Sequence, residues 1–422
     1  MASVVHFVGI GGVGMSALAQ AFLDAGYTVT GADRALRDVV GPRSPVLAEL
    51  ERQGVRLYPD DGSGVGPETQ RIVISTAIEA TNPDLCRAKA LNIPVTHRAA
   101  ALAEVLSSRR LVAVAGTCGK STVTAILGHL LVECGFDPVV VNGAQVVGWD
   151  EAGSRVGSTR RGQGMYAVAE VDESDKSLVA FKPYAAIVTN ASADHYSKEE
   201  MDDVFDAFIA DLPGPLVDGR REQIVPSDVA RTVPLPGEHN AVNAECALRM
   251  ALALGADPKK LTAAIQTFKG VERRLQRVGV CGDAVVYDDY AHNPEKLHAM
   301  LATLQSAHPR GVAVVWRPHG YAPLRKMMDA LADMFRATLR SEDLLLLLPV
   351  YDAGGTTDRS VNSDALAAKL KNSPVHLVCN LEDAETVLRT RAPAFGAIVA
   401  AGARDPGLPV LARRLAGKEE GK

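Results

Sequence analysis

Leu111-Val-Ala-Val-Ala-Gly-Thr-Cys-Gly-Lys-Ser-Thr122 is the stretch that decides the fold of the central part of this chain. Its apolar start predicts a buried strand over 111–116, and an amphipathic helix follows it. Glycines between strand and helix let backbone N–H groups face an anion at the helix N-terminus. Lys120 can then reach the outer phosphates of a nucleotide, and the Ser121 hydroxyl can hold Mg²⁺. The residues predicted to contact phosphate are Gly116, Thr117, Gly119, Lys120, Ser121 and Thr122.

The spacing of this loop is shorter than the common GxxxxGKT pattern, because only Thr117 and Cys118 separate Gly116 from Gly119. A glycine turn that merely joins strand to helix would not require a lysine and a hydroxyl in series. The segment therefore predicts a central P-loop domain of the ATPase type, built on a parallel sheet.

Composition limits the class of protein. The chain has 422 residues, of which 47% are hydrophobic and 5% aromatic, which suits an α/β enzyme of roughly two to four domains. A net charge of −5 without a basic run argues against nucleic acid as a partner. Six cysteines without a CxxC motif are typical of reduced thiols. Without a signal-like N-terminus or a long apolar stretch, we expect a cytoplasmic protein with no membrane partner.

A second glycine loop lies near the N-terminus. The strand Ser3–Val8 runs into Gly9-Ile-Gly-Gly-Val-Gly14, and the next strand ends in Asp33. This is the dinucleotide-binding fingerprint of a Rossmann-like domain, so an NAD-binding oxidoreductase is one interpretation. The same backbone can hold any diphosphate, however, and the loop at 116–122 already supplies a nucleotide site. Two phosphate loops predict two phosphorylated ligands.

Acidic and polar side chains follow two later strands of the central domain. Glu170-Val-Asp-Glu-Ser-Asp175 comes after one strand and Asn190-Ala-Ser-Ala-Asp-His195 after the next, where open α/β sheets bind ligands. Ser121 with one carboxylate suffices for one Mg²⁺, and Glu170 with His195 could hold a second ion. A solvated acidic turn and an ordinary loop histidine are the competing interpretations.

Further along, His239, Asn240 and Asn243 fall on one face at the start of a helix and suit an adenine edge, although Asn240 could instead cap that helix. A short basic linker, 270–276, then precedes an alternation of strands and helices that predicts a second Rossmann-like sheet. Its strand ends, 288–294 and 317–321, are polar. The predicted domains are 1–108, 109–276 and 277–422, an α/β chain of three domains.

The chain resembles the Mur ligase family of peptidoglycan synthesis, most closely its alanine-adding branch. The resemblance is carried in order by HFVGIGGVGMSALA (6–19), AGTCGKST, AEVDESD, TNASADH, PGEHNAVNA, GVERRLQ, DDYAHNPEK and VYDAGG (350–355). It implies an N-terminal domain for a UDP sugar, a central ATPase domain and a C-terminal domain that brings the amino acid. It also implies that ATP phosphorylates the carboxylate of UDP-N-acetylmuramate, and that an amino acid, L-alanine in that branch, attacks the acyl phosphate.

The resemblance also implies roles for residues. Gly11, Gly12, Val13, Gly14, Met15, Ser16, Asp33 and Thr76 would bind the UDP moiety, and Ser121, Glu170 and His195 the Mg²⁺ or Mn²⁺. Lys120 would hold phosphate, His239, Asn240 and Asn243 would flank adenine, and Arg274 and Asp289 would meet ATP. His292 could take a proton from the amine, or only order the Asp289 loop. His319 and Arg325 belong to the segment that handles the amino acid. The oligomeric expectation is a monomer or dimer.

The chain departs from the family at three places. Only 43 residues separate His195 from His239, so a lobe of the central domain is trimmed. Gly320 and Pro323 stand where the alanine ligases have arginines, and the loop 352–360 differs. The amino acid or the acceptor therefore stays open, and a ligase that recycles murein peptides is an alternative. That ligase usually reads GICGT at the first loop, where this chain reads GIGGV.

Overall fold

The computed structural model describes residues 4–37, 44–149, 156–172, 177–191, 198–352 and 358–418. The described residues form two compact units. The first holds those up to Pro234 together with His239–Val271, and the second holds Leu235–Glu238 and those from Glu272 onward. The first unit contains two β-sheets and the second contains one, so the α/β class with three mainly parallel sheets is confirmed.

The N-terminal sheet is parallel, in the order β3-β2-β1-β4-β5. Its strands are β1 (Val4–Val8), β2 (Thr28–Asp33), β3 (Arg56–Pro59), β4 (Thr69–Ile74) and β5 (Val95–His97), and its helices are α1 (Val13–Asp24), α2 (Pro45–Arg52), α3 (Pro83–Ala90) and α4 (Arg98–Val105). The order reverses on either side of β1, so the loop after β1 lies at the topological switch point, where such sheets bind ligands.

The central sheet is parallel except for its edge pair β7–β8, in the order β11-β10-β6-β9-β7-β8. Its strands are β6 (Arg110–Ala115), β7 (Val139–Val141), β8 (Thr159–Arg160), β9 (Tyr166–Glu170), β10 (Ala185–Val188) and β11 (Leu216–Asp218), and its helices are α5 (Lys120–Glu133), α6 (Lys198–Ile209), α7 (Glu238–Ala253) and α8 (Pro258–Ile265). Strand β6, which leads into the phosphate loop, lies between β10 and β9. The carboxyl ends of all three strands therefore meet around that loop.

Helix α1 joins the two sheets of the first unit. Its residues Leu18 and Phe22 pack into the core of the N-terminal sheet, whereas Ala17 and Ala21 pack against residues of the central sheet. Gln20 is fully buried between them, and its side-chain oxygen accepts a hydrogen bond of 2.6 Å from the Thr159 hydroxyl. Helix α4 likewise contributes to both cores, so the two sheets form one compact unit.

The sheet of the second unit has the order β12-β13-β17-β14-β15-β16. Its strands are β12 (Gln276–Cys281), β13 (Ala284–Asp289), β14 (Val312–Trp316), β15 (Leu344–Leu347), β16 (Val375–Leu377) and β17 (Ala397–Ala401), and its helices are α9 (Pro294–Ala307), α10 (Tyr321–Thr338), α11 (Ser363–Lys369), α12 (Leu381–Arg391) and α13 (Gly407–Leu415). The pair β12–β13 is antiparallel, and the other pairs are parallel. Apolar clusters cover both faces, which explains why these strands read as continuous Val, Leu and Ala runs.

Candidate active site

The central phosphate loop has the geometry that its glycines were expected to provide. Gly116 and Gly119 adopt φ values of 123° and 87°, which side chains rarely allow. Gly119 precedes the first residue of α5, and Ser121 and Thr122 lie buried in the first turn, where amides are available to an anion. The Lys120 ammonium donates a 2.7 Å hydrogen bond to the Gly116 carbonyl, so the lysine lies against the loop it serves.

The amide side chains predicted to flank adenine lie beside this loop. A Cβ atom on Gly119 would sit 2.5 Å from Oδ1 of Asn243, so α7 approaches the loop closely and position 119 must be glycine. Asn240 and Asn243 are buried on the same face of α7, 3.4 Å apart between side-chain atoms, and His239 is exposed. The structure thus brings the P-loop and two of the three predicted adenine residues together.

Glu170 ends β9 in register with Val114, next to the strand that leads to the loop. Its carboxylate accepts a 2.8 Å hydrogen bond from the Gly143 amide, and a Cβ atom on Gly143 would lie 2.4 Å from the same oxygen. The Gly143 amide therefore orients the Glu170 carboxylate. Within the described residues, no group of three or more His, Cys, Asp or Glu side chains could hold a metal ion. The predicted ligand His195 lies outside the described residues, as do Glu173 and Asp175.

The first glycine loop is held by the acid that ends β2. Asp33 accepts hydrogen bonds from the amides of Gly11 (2.9 Å) and Ala35 (3.0 Å). Gly12 precedes the first residue of α1, and Val13 is 43% exposed at its start. The Ser16 hydroxyl donates to the Val13 carbonyl, and the Met15 side chain is buried. Met15 and Ser16 would therefore contact a ligand mainly through their backbone amides. Thr76, just after β4, is exposed.

An open cleft in the first unit lies between helix α1 and the central sheet. Gly14 and Leu18 of α1 line one side, and Gly143 and Glu170 of the central sheet line the other. Between them Arg98, the first residue of α4, forms a 2.8 Å ion pair with Asp172. Arg98 belongs to no recognisable sequence motif, and its place in the cleft becomes apparent only from the structure. The cleft thus connects the end of the first glycine loop, at Gly14, with the end of β9, at Glu170.

In the second unit, Asp289 organises the segment that carries Arg274. Its carboxylate accepts hydrogen bonds of 2.7 Å from the amides of Leu275 and Ala291. Burial raises the pKa of Asp289, and these hydrogen bonds act in the opposite direction. The Arg274 guanidinium lies 5.5 Å from the centre of the Tyr290 ring. Asp289 thus fixes the backbone around Arg274 from the end of β13.

His292 and His319 stand together in the same unit, with ring centres 4.9 Å apart. Nδ1 of His292 lies 2.9 Å from the Tyr290 carbonyl, so it must carry a proton and donate it. Burial lowers the pKa of His292 to about 4, helped by Lys296 and other neighbours, so Nε2 carries a lone pair at neutral pH. Burial, with Arg404 and Lys296, also lowers the pKa of His319. His292 is consequently a hydrogen-bond acceptor but a weak base.

Arg325 lies on α10 and forms an ion pair in this structure. Its guanidinium forms a 2.6 Å ion pair with the Asp358 carboxylate and donates to the Ser360 hydroxyl at 3.1 Å. Both groups of the pair are substantially exposed. Residues 353–357 of the divergent loop lie outside the described residues. An amino-acid carboxylate would therefore compete with Asp358 for this arginine.

With this geometry in hand, the chain can be compared with known proteins. The family models described as "Mur ligase family, catalytic domain" and "Mur ligase, glutamate ligase domain" match residues 4–110 and 273–404. The UDP-N-acetylmuramate–L-alanine ligase of Laribacter hongkongensis is 32% identical, over 93% of this chain and 95% of its own. The crystal structure of UDP-N-acetylmuramate-alanine ligase from Thermotoga maritima matches 98% of both chains with a TM-score of 0.78 and 22% identity. A murein peptide ligase from Psychrobacter arcticus matches 100% of both chains with a TM-score of 0.66 and 20% identity.

The chain belongs to the Mur ligase family. It is an ATP-dependent ligase that forms a carbon–nitrogen bond in peptidoglycan precursor synthesis, as the resemblance implied. The oxidoreductase interpretation of the first glycine loop is thereby replaced. In the described part of the chain, every helix is too short or too polar to cross a membrane.

Proposed function

We propose that this chain joins L-alanine to UDP-N-acetylmuramate through an acyl-phosphate intermediate. The observation that supports it best is the cleft between the first glycine loop and the central sheet, lined by Gly14 on one side and by Gly143 and Glu170 on the other. A sugar nucleotide held by its diphosphate at the first loop would extend its carboxylate into this space. An ATP molecule held at Lys120 would bring its terminal phosphate to the same place.

The chemistry requires positioning and neutralisation of charge more than a protein nucleophile. A carboxylate is a poor electrophile until phosphorylation supplies a good leaving group, and transfer of the phosphoryl group then depends on cations and on alignment. In this proposal Lys120 and the first turn of α5 hold the phosphates, and the Asn240–Asn243 face with His239 holds the adenine. Arg274, whose neighbouring backbone is held by Asp289, is proposed to bind ATP as well.

The donor atoms near the loop fit a hard divalent ion. Mg²⁺ or Mn²⁺ prefers oxygen ligands, and the Ser121 hydroxyl with the cradled Glu170 carboxylate would hold it, joined by His195 in the proposed assignment. The ion would neutralise phosphate charge during transfer. Arg98 and Asp172, which form an ion pair in the lining of the cleft, are proposed to lie on the side of the sugar nucleotide.

The amino acid is assigned to the second unit. Deprotonated at its amine, it would attack the acyl phosphate and release phosphate. Nε2 of His292 would accept a hydrogen bond from the attacking nitrogen, and the low pKa of His292 makes orientation its main contribution. His319 and Arg325 are proposed to lie on the amino-acid side. The domains 1–108, 109–276 and 277–422 and a cytoplasmic location, as a monomer or dimer, belong to the same proposal.

A labelling experiment tests the intermediate. UDP-N-acetylmuramate carrying ¹⁸O in its carboxylate is incubated with ATP, Mg²⁺ and L-alanine, and the released phosphate is analysed by mass spectrometry. An acyl phosphate transfers one ¹⁸O to phosphate for each amide formed. Amide formation with unlabelled phosphate would contradict this mechanism.

One alternative acceptor has an observation in its favour. Gly320 and Pro323 replace the arginines of the amino-acid segment, so the second unit could accept a peptide such as L-alanyl-γ-D-glutamyl-meso-diaminopimelate, the substrate named for a related ligase from Neisseria meningitides. Replacing L-alanine by this tripeptide in the same reaction tests it. Faster turnover with the tripeptide would favour the recycling function.

A further inference from the structure

The phosphate loop is held from outside by the end of the neighbouring strand β10. The Asn190 side chain contacts both sides of Cys118: its oxygen accepts from the Cys118 amide at 3.0 Å, and its nitrogen donates to the Cys118 carbonyl at 3.0 Å. The Asn190 backbone carbonyl also accepts from the Thr117 amide at 3.2 Å. Both residues between the two loop glycines are therefore bound by one asparagine.

Thr189 completes this arrangement. Its hydroxyl donates to the Cys118 carbonyl at 2.6 Å, and its amide donates to the Ala115 carbonyl at 3.0 Å. A Cβ atom on Gly116 would lie 2.2 Å from the Thr189 hydroxyl, so only glycine fits at position 116 beside this strand end. Thr189 is buried, which makes unmade hydrogen bonds here costly.

The shortness of the loop explains why it needs such support. The common pattern has four residues between its glycines, whereas this loop has two, Thr117 and Cys118. Their amides donate to Asn190 and do not point at a ligand. Anion binding is consequently left to the first turn of α5, with Ser121 and Thr122, and to the Lys120 ammonium. The direction of that turn depends on how the peptide of Cys118 is held.

We propose that Asn190, assisted by Thr189, is a positioning residue for phosphoryl transfer. By binding both the amide and the carbonyl of Cys118, it fixes the glycine loop in the shape that presents Lys120 and the first turn of α5 to the phosphates of ATP. This inference rests on the ATP site of the proposed function. Asn190 itself touches the loop and acts through it.

The test compares nucleotide binding with sugar-nucleotide binding in the full chain. Asn190→Ala removes the two side-chain hydrogen bonds. We expect it to raise the Kd for a fluorescent, non-hydrolysable ATP analogue by about tenfold or more and to lower kcat, with the Kd for UDP-N-acetylmuramate within twofold. Asn380→Ala is the matched control, because Asn380 caps α12 in the other unit and its loss lowers stability without touching the loop. Unchanged analogue binding and kcat in Asn190→Ala would overturn the inference.

A second pair of variants covers the case in which Asn190→Ala does not fold. Thr189→Ser keeps the hydroxyl and should bind the analogue as the wild type does, whereas Thr189→Val keeps the shape and should bind it several-fold more weakly. Equal binding by both would contradict the proposal. Failure of the wild type itself to bind the analogue would instead refute the ATP site of the proposed function, so the two failures are distinguishable.

Discussion

The Asp33 carboxylate accepts a 2.9 Å hydrogen bond from the amide of Gly11, across 22 residues of sequence. The contact is tight, because a Cβ atom on Gly11 would lie 2.8 Å from the same carboxylate oxygen. The end of β2 therefore determines the shape of the loop that follows β1. An acid at this position was expected to contact the ligand, and in this structure it first shapes the ligand's loop.

Asp33→Ala should weaken binding of the sugar nucleotide and leave ATP binding unchanged. Loss of the hydrogen bonds to Gly11 and Ala35 should raise the KM for UDP-N-acetylmuramate by roughly tenfold, as expected for charge-assisted hydrogen bonds. The KM for ATP should stay within about twofold. Asp61→Ala is the control, because Asp61 is an exposed acid that likewise accepts a hydrogen bond from a nearby amide. A selective loss of ATP affinity in Asp33→Ala would mean that the two nucleotide sites are exchanged.

Lys120→Ala should abolish turnover but spare the sugar-nucleotide site. Its ammonium lies at the phosphate loop, and removal of one preorganised donor to a transferring group lowers kcat by about 100-fold or more. Isothermal calorimetry with UDP-N-acetylmuramate should give a Kd close to that of the wild type. Retention of most activity would refute the assigned ATP site.

Arg325→Ala addresses recognition of the amino acid. If Arg325 receives the carboxylate, its loss should raise the amino-acid KM roughly 10- to 150-fold, with the other two KM values within a few-fold. The ion pair with Asp358 offers a competing role, which is to hold the end of the loop. Asp358→Asn separates the two roles, because it removes the ion pair and leaves the arginine.

If Arg325 binds substrate, Asp358→Asn should leave the amino-acid KM unchanged or lower it. Equal increases in Arg325→Ala and Asp358→Asn would show that the pair matters only for the loop. Arg336→Ala is the matched control, since it removes an exposed arginine of the same helix that pairs with Asp333.

The folded state should respond to pH through His6 and Asp84, which face each other in the N-terminal sheet with 3.9 Å between Nε2 and Oδ1. Burial lowers the pKa of His6 to about 4, although Asp60 acts against it. Burial, followed by Asp60, raises the pKa of Asp84 to about 7, with the Gly62 amide acting in the opposite direction. Because the pKa of His6 is lower in the folded state, the free energy of unfolding falls as pH falls from about 6.5 to 4. Because the pKa of Asp84 is higher in the folded state, the free energy of unfolding falls as pH rises through about 7.

Single variants should expose these opposing slopes. In Asp84→Asn the opposing contribution of the carboxyl is lost, so the free energy of unfolding should fall more steeply between pH 7 and pH 4 than in the wild type. In His6→Gln the remaining carboxyl should make it rise over the same range. Denaturant unfolding at each pH measures both, and parallel pH profiles for the two variants would contradict the assignment.

The glycine loops could be predicted because their chemistry is local. Gly116, Gly119 and Lys120 lie in five consecutive residues, and the structure gives them the left-handed backbone and helix start that this spacing indicates. The strands of the second unit were equally accessible, because runs such as Leu344–Leu347 are buried on both faces. Strand β12, which follows the predicted linker 270–276, was not predicted, since a bulge between Arg277 and Gly279 breaks its alternation and leaves Val280 exposed.

Other parts of the site depend on contacts that no local pattern records. Asn190 drew attention only as part of a strand-end segment, and its binding to Cys118 requires that β10 and β6 be neighbours. Arg98 reaches Asp172 across 74 residues of sequence. The ion pair between Arg325 and Asp358 likewise comes from tertiary packing of α10. Residue type indicated which side chains could take part in the chemistry, and the packing determined which of them meet.

The most direct measurement is ATP-dependent release of phosphate with UDP-N-acetylmuramate against a panel of amino acids and the murein tripeptide, with the amide product identified by mass spectrometry. We predict that phosphate release requires both the sugar nucleotide and an amino acid, and that L-alanine gives the highest kcat/KM. Release of phosphate without the sugar nucleotide, or amide formation that does not depend on ATP, would contradict the proposed reaction.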